Sequence, residues 1–117
     1  MLNLNNVKKL SVVVPVFYNE ESLLPLFEKL LQIEQQLQQK SIELELIFVD
    51  DGSGDKSLQK LLEIKKQREH TKVIKLSRNF GAVHASKTGF QFVTGDCFMI
   101  LAADLQDPPE LILEMVD

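Results

Sequence analysis

The sequence has one cysteine, Cys97, and it lies inside an apolar run. A single cysteine forms no intramolecular disulfide, so an extracellular disulfide scaffold is not indicated, and Cys97 reads as buried packing. No stretch approaches the ~20 apolar residues that a membrane-crossing helix needs. The segment Met1 to Lys9 lacks the apolar core of a secretory signal, so the chain as given is expected in the cytoplasm. There is no surplus of positive charge: a net charge of -4 and a pI near 5.2 give no support for nucleic-acid or anionic-membrane binding. Internal repeats, low-complexity tracts and linkers are missing as well. No Gly-x-Gly-x-x-Gly follows the first apolar run, which disfavours a nicotinamide or flavin site. Lys87-Thr88 has no glycine directly before the lysine, so this is not a Walker A loop. A nucleotide would have to be held by side chains and a metal rather than by a glycine cradle.

What is present is ordinary globular material. At 117 residues, with 44% hydrophobic and 26% charged residues, the chain suffices for one domain with a modest core. Four short apolar runs, Leu10 to Val16, Leu44 to Val49, Val73 to Leu76 and Cys97 to Leu101, read as strands covered on both faces, with Glu45 and Lys75 as single charged interruptions. Between the first two, Leu23, Leu26, Leu30, Ile33 and Leu37 recur at steps of three and four, the stripe of an amphipathic helix. A second helix is expected from Leu58 to Arg68. A third is expected from Asn79 to Phe92, with Ala82, Ala85, Ser86 and Gly89 small enough to lie close to a sheet. A fourth begins near the end. Alternating strands and helices predict an α/β fold: an open, mainly parallel, Rossmann-like sheet of about four strands with flanking helices.

In a parallel sheet the loops following the strands share one edge, and ligands bind there, where strand order reverses. Those loops are Pro15 to Glu20, Asp50 to Asp55, Ser77 to Gly81 and Ala102 to Pro109. The opposite edge, with Lys8, Lys9, Thr94 to Asp96 and Glu69 to Thr71, reads as plain solvated turns. Pro25 favours a helix cap at Ser22, which places the proline at the third helical position and leaves Tyr18, Asn19 and Glu20 in the loop. Asp50 and Asp51 are adjacent carboxylates where a turn needs one, which points to a ligand. Ser53 and Asp55 are expected to cap the second helix. Arg78 at the start of the third helix would oppose the helix dipole and suggests an anionic partner. In the last loop Asp104, Gln106 and Asp107 supply oxygen atoms suited to a hard divalent cation. Asp107 as N-cap and Pro108 at the first helical position offer the competing, structural reading.

Val13-Val14-Pro15-Val16-Phe17-Tyr18-Asn19-Glu20, Phe48-Val49-Asp50-Asp51-Gly52-Ser53, Ser77-Arg78-Asn79-Phe80-Gly81 and Ala103-Asp104-Leu105-Gln106-Asp107-Pro108-Pro109-Glu110 together resemble family 2 glycosyltransferases of the GT-A fold. The nearest subgroup is the polyprenyl-phosphate mannosyl- and glucosyltransferases, which act with dolichol or undecaprenyl phosphate. The resemblance runs in order from about Leu10 to the last residue. It implies a nucleotide-diphosphate-sugar donor site and inverting transfer of a hexose to a lipid phosphate. Pro15 and Tyr18 would line the nucleoside pocket with Glu20 nearby, Asp50 or Asp51 would bond the base, and Arg78 would lie near the diphosphate. Asp104 and Gln106 would hold Mg²⁺ or Mn²⁺, which stabilises the departing diphosphate as a Lewis acid.

Two departures from the family pattern matter. The Asp-x-Asp motif would place carboxylates at positions 102 and 104, but this chain has Ala102. The general base of relatives lies well downstream, as do their membrane-associated segments, so the catalytic base is expected beyond Asp117. The single domain 1–117 is then the N-terminal donor-binding part, without the acceptor half and inactive by itself. A non-catalytic nucleotide-binding remnant is the alternative reading. A receiver-like signalling domain would need a phosphoacceptor aspartate with a matching lysine, and no clear pair exists. A half-fold would leave sheet edge and helix face uncovered, which predicts self-association.

Overall fold

A computed structural model describes residues 7–104 and 108–116. The elements alternate throughout: β1 (Lys9–Val16), α1 (Leu23–Gln39), β2 (Glu43–Asp50), α2 (Ser57–Gln67), β3 (Lys72–Lys75), α3 (Ala82–Phe90), β4 (Cys97–Ile100) and α4 (Leu111–Val116). The four strands form one sheet in the order β3-β2-β1-β4, and every pairing is parallel. The α/β expectation is met.

Strand alternation explains the layers. Val12, Val14 and Val16 point to one face, where they meet Leu23, Leu26, Leu30 and Leu37 of α1 and Leu61 and Ile64 of α2. Val13, Ile47 and Val49 point to the other face and pack on Ala85 of α3. In β1 and β2 successive residues therefore bury against different helices, which is why these strands read as continuous apolar runs. β3 is only half-buried and Phe98 and Ile100 of β4 are exposed, so these two edge strands are not covered on both faces as expected. The path from β1 to β3 moves steadily outward; the step to β4 crosses back past β1. At constant crossover handedness this reversal puts α3 on the opposite face from α1 and α2. Of the small residues expected to bring α3 close, Ala85 and Gly89 are buried and do so, whereas Ala82 is exposed and Ser86 half-buried, and both line a groove instead. A Cβ on Gly89 would lie 2.5 Å from Val13 Cγ1 and 3.0 Å from Val49 Cγ2.

The amino edge is not made of plain solvated turns. Glu45, only 5% exposed, accepts hydrogen bonds from the Ser11 hydroxyl (2.7 Å), the Thr94 N–H (2.9 Å) and the Thr94 hydroxyl (2.8 Å). It also pairs with Lys72 Nζ at 2.9 Å and lies 3.7 Å from Lys9 Nζ. One carboxylate thus ties β2 to β1, to β3 and to the turn entering β4. Burial pushes its pKa up, but the hydrogen bonds from Ser11, Thr94 and Lys72 outweigh that and hold it at about 2. On the other face Arg68, the C-cap of α2, donates to Glu34 of α1 and to the Leu44 carbonyl, joining α1, α2 and β2. Cys97 is buried as expected, and desolvation raises its thiol pKa, with Asp96 adding to the effect.

Several helix starts differ from the sequence expectation. Ser22 is the N-cap of α1 and Pro25 the third helical residue, as expected, but the Ser22 side chain makes no capping bond. The N-cap of α2 is Lys56, not Ser53 or Asp55; Asp55 Oδ1 does accept the Ser57 N–H at 3.0 Å, while Ser53 is turned elsewhere. The third helix starts at Ala82 rather than Asn79, because Gly81 has φ +98 and the N–H groups of Phe80 and Gly81 are bonded outside the helix. Arg78 consequently lies in the loop, so opposition to the helix dipole does not apply to it. The fourth helix starts at Leu111, three residues after Pro108; Asp107 lies outside the described residues.

Candidate functional site

The strand order reverses between β1 and β4, so the crevice lies where the loops after these strands part. A cleft of about 410 Å³ opens there, bounded by Pro15 at the end of β1, Phe17 and Asn19 after it, Asp51 after β2, Asn79 and Gly81 before α3, and Ala102, Ala103 and Asp104 after β4. All four carboxyl-edge loops contribute. An adjoining cleft of about 430 Å³ shares Asn19 and Asp104 and adds Tyr18, Glu20, Glu21, Ser22 and Asp55. A third, apolar groove of about 680 Å³ between α3 and β4 shares Pro15, Ala82 and Ala102 and is lined by Val83, Phe90, Phe98 and Ile100.

The loops hold one another through side chains. Asp51, 2% exposed, accepts the Phe80 N–H (2.8 Å), the Gly81 N–H (3.0 Å) and the Asn79 carboxamide N–H (3.0 Å). Its carboxylate therefore fixes the loop before α3 as well as facing the cleft. Gly52, at φ +75, lets the chain pass this loop closely: a Cβ there would lie 2.5 Å from Arg78 C and Asn79 N. On the other side the Ser22 hydroxyl, not used for capping, donates to the Ala103 carbonyl at 2.6 Å and ties the start of α1 to the loop after β4.

The residues expected at the site divide accordingly. Pro15, Asp51 and Asp104 come together on the central cleft, and Tyr18 and Glu20 on the adjoining one. Asp50 is buried at the end of β2, where its Oδ1 accepts the Ser53 N–H at 3.2 Å, and it borders neither cleft. Arg78 is exposed outside both clefts, its guanidinium 4.6 Å over the Phe80 ring, which in turn stacks on His84 at 4.7 Å. Asn79, Ala103 and Ser22 are not among the expected site residues; Ser22 reads from sequence only as a helix cap. Asn79 lies inside a quoted motif, but its bond to Asp51 spans 28 positions and leaves no local signal. Of the two expected metal ligands, Asp104 is exposed at the rim and Gln106 lies outside the described residues. Among the described residues no group of three or more His, Cys, Asp or Glu side chains converges to hold a metal, and half-buried Ala102 supplies no ligand. The described residues alone therefore do not make a metal centre.

A parallel α/β sheet with its cleft at the switch point defines a Rossmann-like domain, here with the GT-A fold. The chain belongs to glycosyl transferase family 2, whose family model matches residues 11–117. It is 46% identical over 116 residues to undecaprenyl-phosphate 4-deoxy-4-formamido-L-arabinose transferase of Photorhabdus laumondii, covering 98% of this chain and 35% of that protein. Among solved structures, residues 1–349 of S. aureus TarS in complex with UDP match with a TM-score of 0.66 at 24% identity, covering 82% of this chain and 27% of that one. The mannosyltransferase PcManGT from Pyrobaculum calidifontis, in complex with GDP-Man and Mn²⁺, matches with a TM-score of 0.65 at 23% identity, covering 87% and 33%. These two likenesses show the fold. The chain spans about a third of the length of the curated relatives it matches. No helix among the described residues is long and apolar enough to cross a membrane.

Proposed function

We propose that the chain binds the nucleotide-diphosphate-sugar donor of an inverting hexosyltransferase whose acceptor is a polyprenyl phosphate. The observation that carries this reading is the meeting of all four carboxyl-edge loops around the cleft between β1 and β4. Membership of glycosyl transferase family 2 supports sugar transfer, and the undecaprenyl-phosphate transferase among the relatives supports a polyprenyl-phosphate acceptor. The sugar in that relative's name is a pentose derivative, so transfer of a hexose rests on the sequence resemblance alone. In this reading Pro15 and Tyr18 border the nucleoside, with Glu20 nearby, and Asp51 meets the base while holding the Phe80 and Gly81 N–H groups and the Asn79 carboxamide. Arg78 lies outside the clefts and serves as an outer anion contact near the diphosphate. Asp104 would face Mg²⁺ or Mn²⁺ on the phosphates with Gln106; a bound divalent cation supplies Lewis-acid stabilisation of the leaving diphosphate.

Calorimetric titration with UDP, GDP and their hexose conjugates, with and without Mn²⁺, tests the reading. Binding of one nucleoside family is expected, and no heat with any of them counts against it. Ala102 favours a second reading, a nucleotide-binding remnant without metal chemistry. Affinity indifferent to Mn²⁺ supports that one.

Self-association is proposed through the β4 edge, by pairing with a second copy. Cys97-Phe98-Met99-Ile100 carries no charge, and Phe98 and Ile100 are exposed, whereas the β3 edge bears Lys72 and Lys75. Light scattering over a concentration series should show dimers; a monomer throughout contradicts it.

A further inference from the structure

The loop between β1 and α1 has no backbone ladder of its own, yet its geometry is closely specified. Tyr18 is one of two non-glycine residues with positive φ among those described, at +56°. Left-handed backbone at a tyrosine is strained and persists only where the surroundings enforce it. Three consecutive N–H groups supply that enforcement, and each is accepted by a side chain of the loop after β2 or of the first residue of α2. Tyr18 N–H bonds Ser53 Oγ at 3.0 Å, Asn19 N–H bonds Ser57 Oγ at 2.9 Å, and Glu20 N–H bonds Asp55 Oδ2 at 3.3 Å. Ser53 is itself set by Asp50, and Ser57 is fully buried. Gly54 completes the fit: a Cβ there would land on the Tyr18 hydroxyl oxygen, with Cζ at 3.1 Å.

We propose that Ser53, Asp55 and Ser57 are positioning residues of the donor site, acting through the Tyr18–Glu20 backbone to fix the Tyr18 ring at the cleft mouth. This rests on the donor-site reading above. Asp50, which borders no cleft, belongs to the same device by anchoring Ser53. The arrangement has a chemical consequence. With these three N–H groups engaged, the β1–α1 loop offers no backbone nest for a phosphate, so it meets the nucleoside end and the diphosphate is held elsewhere. Burial pushes the Asp55 carboxyl up, but hydrogen bonds from Ser57 and Glu20 outweigh that and hold it below the ordinary range, so it stays an acceptor at neutral pH.

The test titrates UDP and GDP into the chain and its Ser53→Ala, Ser53→Thr and Gly54→Ala variants, with thermal melts alongside. Gly54 is exposed and its φ is not left-handed, so alanine there displaces the tyrosine ring without straining the backbone. Ser53→Ala and Gly54→Ala are expected to weaken nucleotide binding about tenfold, the scale of losing one aromatic contact to a base. Their melting temperatures should stay within about 2 °C of the parent. Ser53→Thr, which keeps the hydroxyl, should restore binding. Parent-like affinity in both weakening variants, or affinity losses that merely track lost stability, overturns the positioning role while leaving the donor site standing. A parent chain that binds neither nucleotide overturns both.

Discussion

Replacing Glu45 by glutamine removes one charge from the point where all four strands are tied. The carboxyl is held at about 2 in the folded chain against an ordinary 4.5. That gap corresponds to roughly 3 kcal/mol of folding free energy. Lys72 and Lys9 are 37% and 30% exposed, so solvent screens part of the attraction. Glutamine also keeps one acceptor oxygen, and a net loss of about 2 kcal/mol is therefore expected. For a chain of this size that is a fall of about 8 °C in melting temperature. The pH dependence carries the sharper information. Because the folded value lies below the unfolded one, the stabilisation is complete above the ordinary value and is lost as pH falls from 4.5 toward 2. Urea unfolding of parent and Glu45→Gln at about pH 7 and about pH 3 should show a stability gap that narrows at the lower pH. A gap that is the same at both, or smaller than about 0.5 kcal/mol at neutral pH, refutes the assignment of Glu45 as the charged tie.

Three further outcomes follow from the geometry. Gly89→Ala should lift α3 from the sheet, because the new methyl meets Val13 and Val49; a destabilisation of about 1–3 kcal/mol is expected in urea unfolding, and a neutral result would mean the helix is not seated as described. Asp51→Asn replaces an acceptor with a donor facing three N–H groups, so a stability loss of about 2 kcal/mol with abolished nucleotide heat is expected, and retained affinity contradicts a role at the cleft. Ala102→Asp places a carboxylate near Asp104 and should raise Mn²⁺-dependent nucleotide affinity by up to roughly fivefold, the scale of one screened charge pair. No gain there means that positions 102 and 104 do not share a cation.

Much of the fold was legible because burial on both faces writes itself into composition. The runs around Val12–Val14 and Leu46–Val49 read as sandwiched strands, and the Leu23–Leu37 stripe as a helix on a sheet, and both are found. The four loops were legible for the same reason, since topology alone places them on one edge. What was not legible depends on pairings between distant residues. Glu45 looked like an interruption in a strand, and nothing local announces that Ser11, Lys72 and Thr94 surround it. The sequence places the start of α3 three residues early because Asn79 looks like a helix beginning; the Asp51 carboxylate takes the Phe80 and Gly81 amides and the helix waits until Ala82. Ser53 and Ser22 are helix-start residues by type, yet their hydroxyls serve Tyr18 and the Ala103 carbonyl instead. At the site, polar residues near helix ends were recognised as specialised, but which loop each one holds required the fold.

The most direct test of a donor cleft at the β1/β4 switch point is amide chemical-shift mapping of the chain during titration with UDP and GDP. The largest shifts are expected at Phe17, Tyr18, Asn79, Gly81, Ala103 and Asp104, the backbone that surrounds the cleft and its mouth. Shifts centred on the α1–α2 side, or none with either nucleotide, would contradict it.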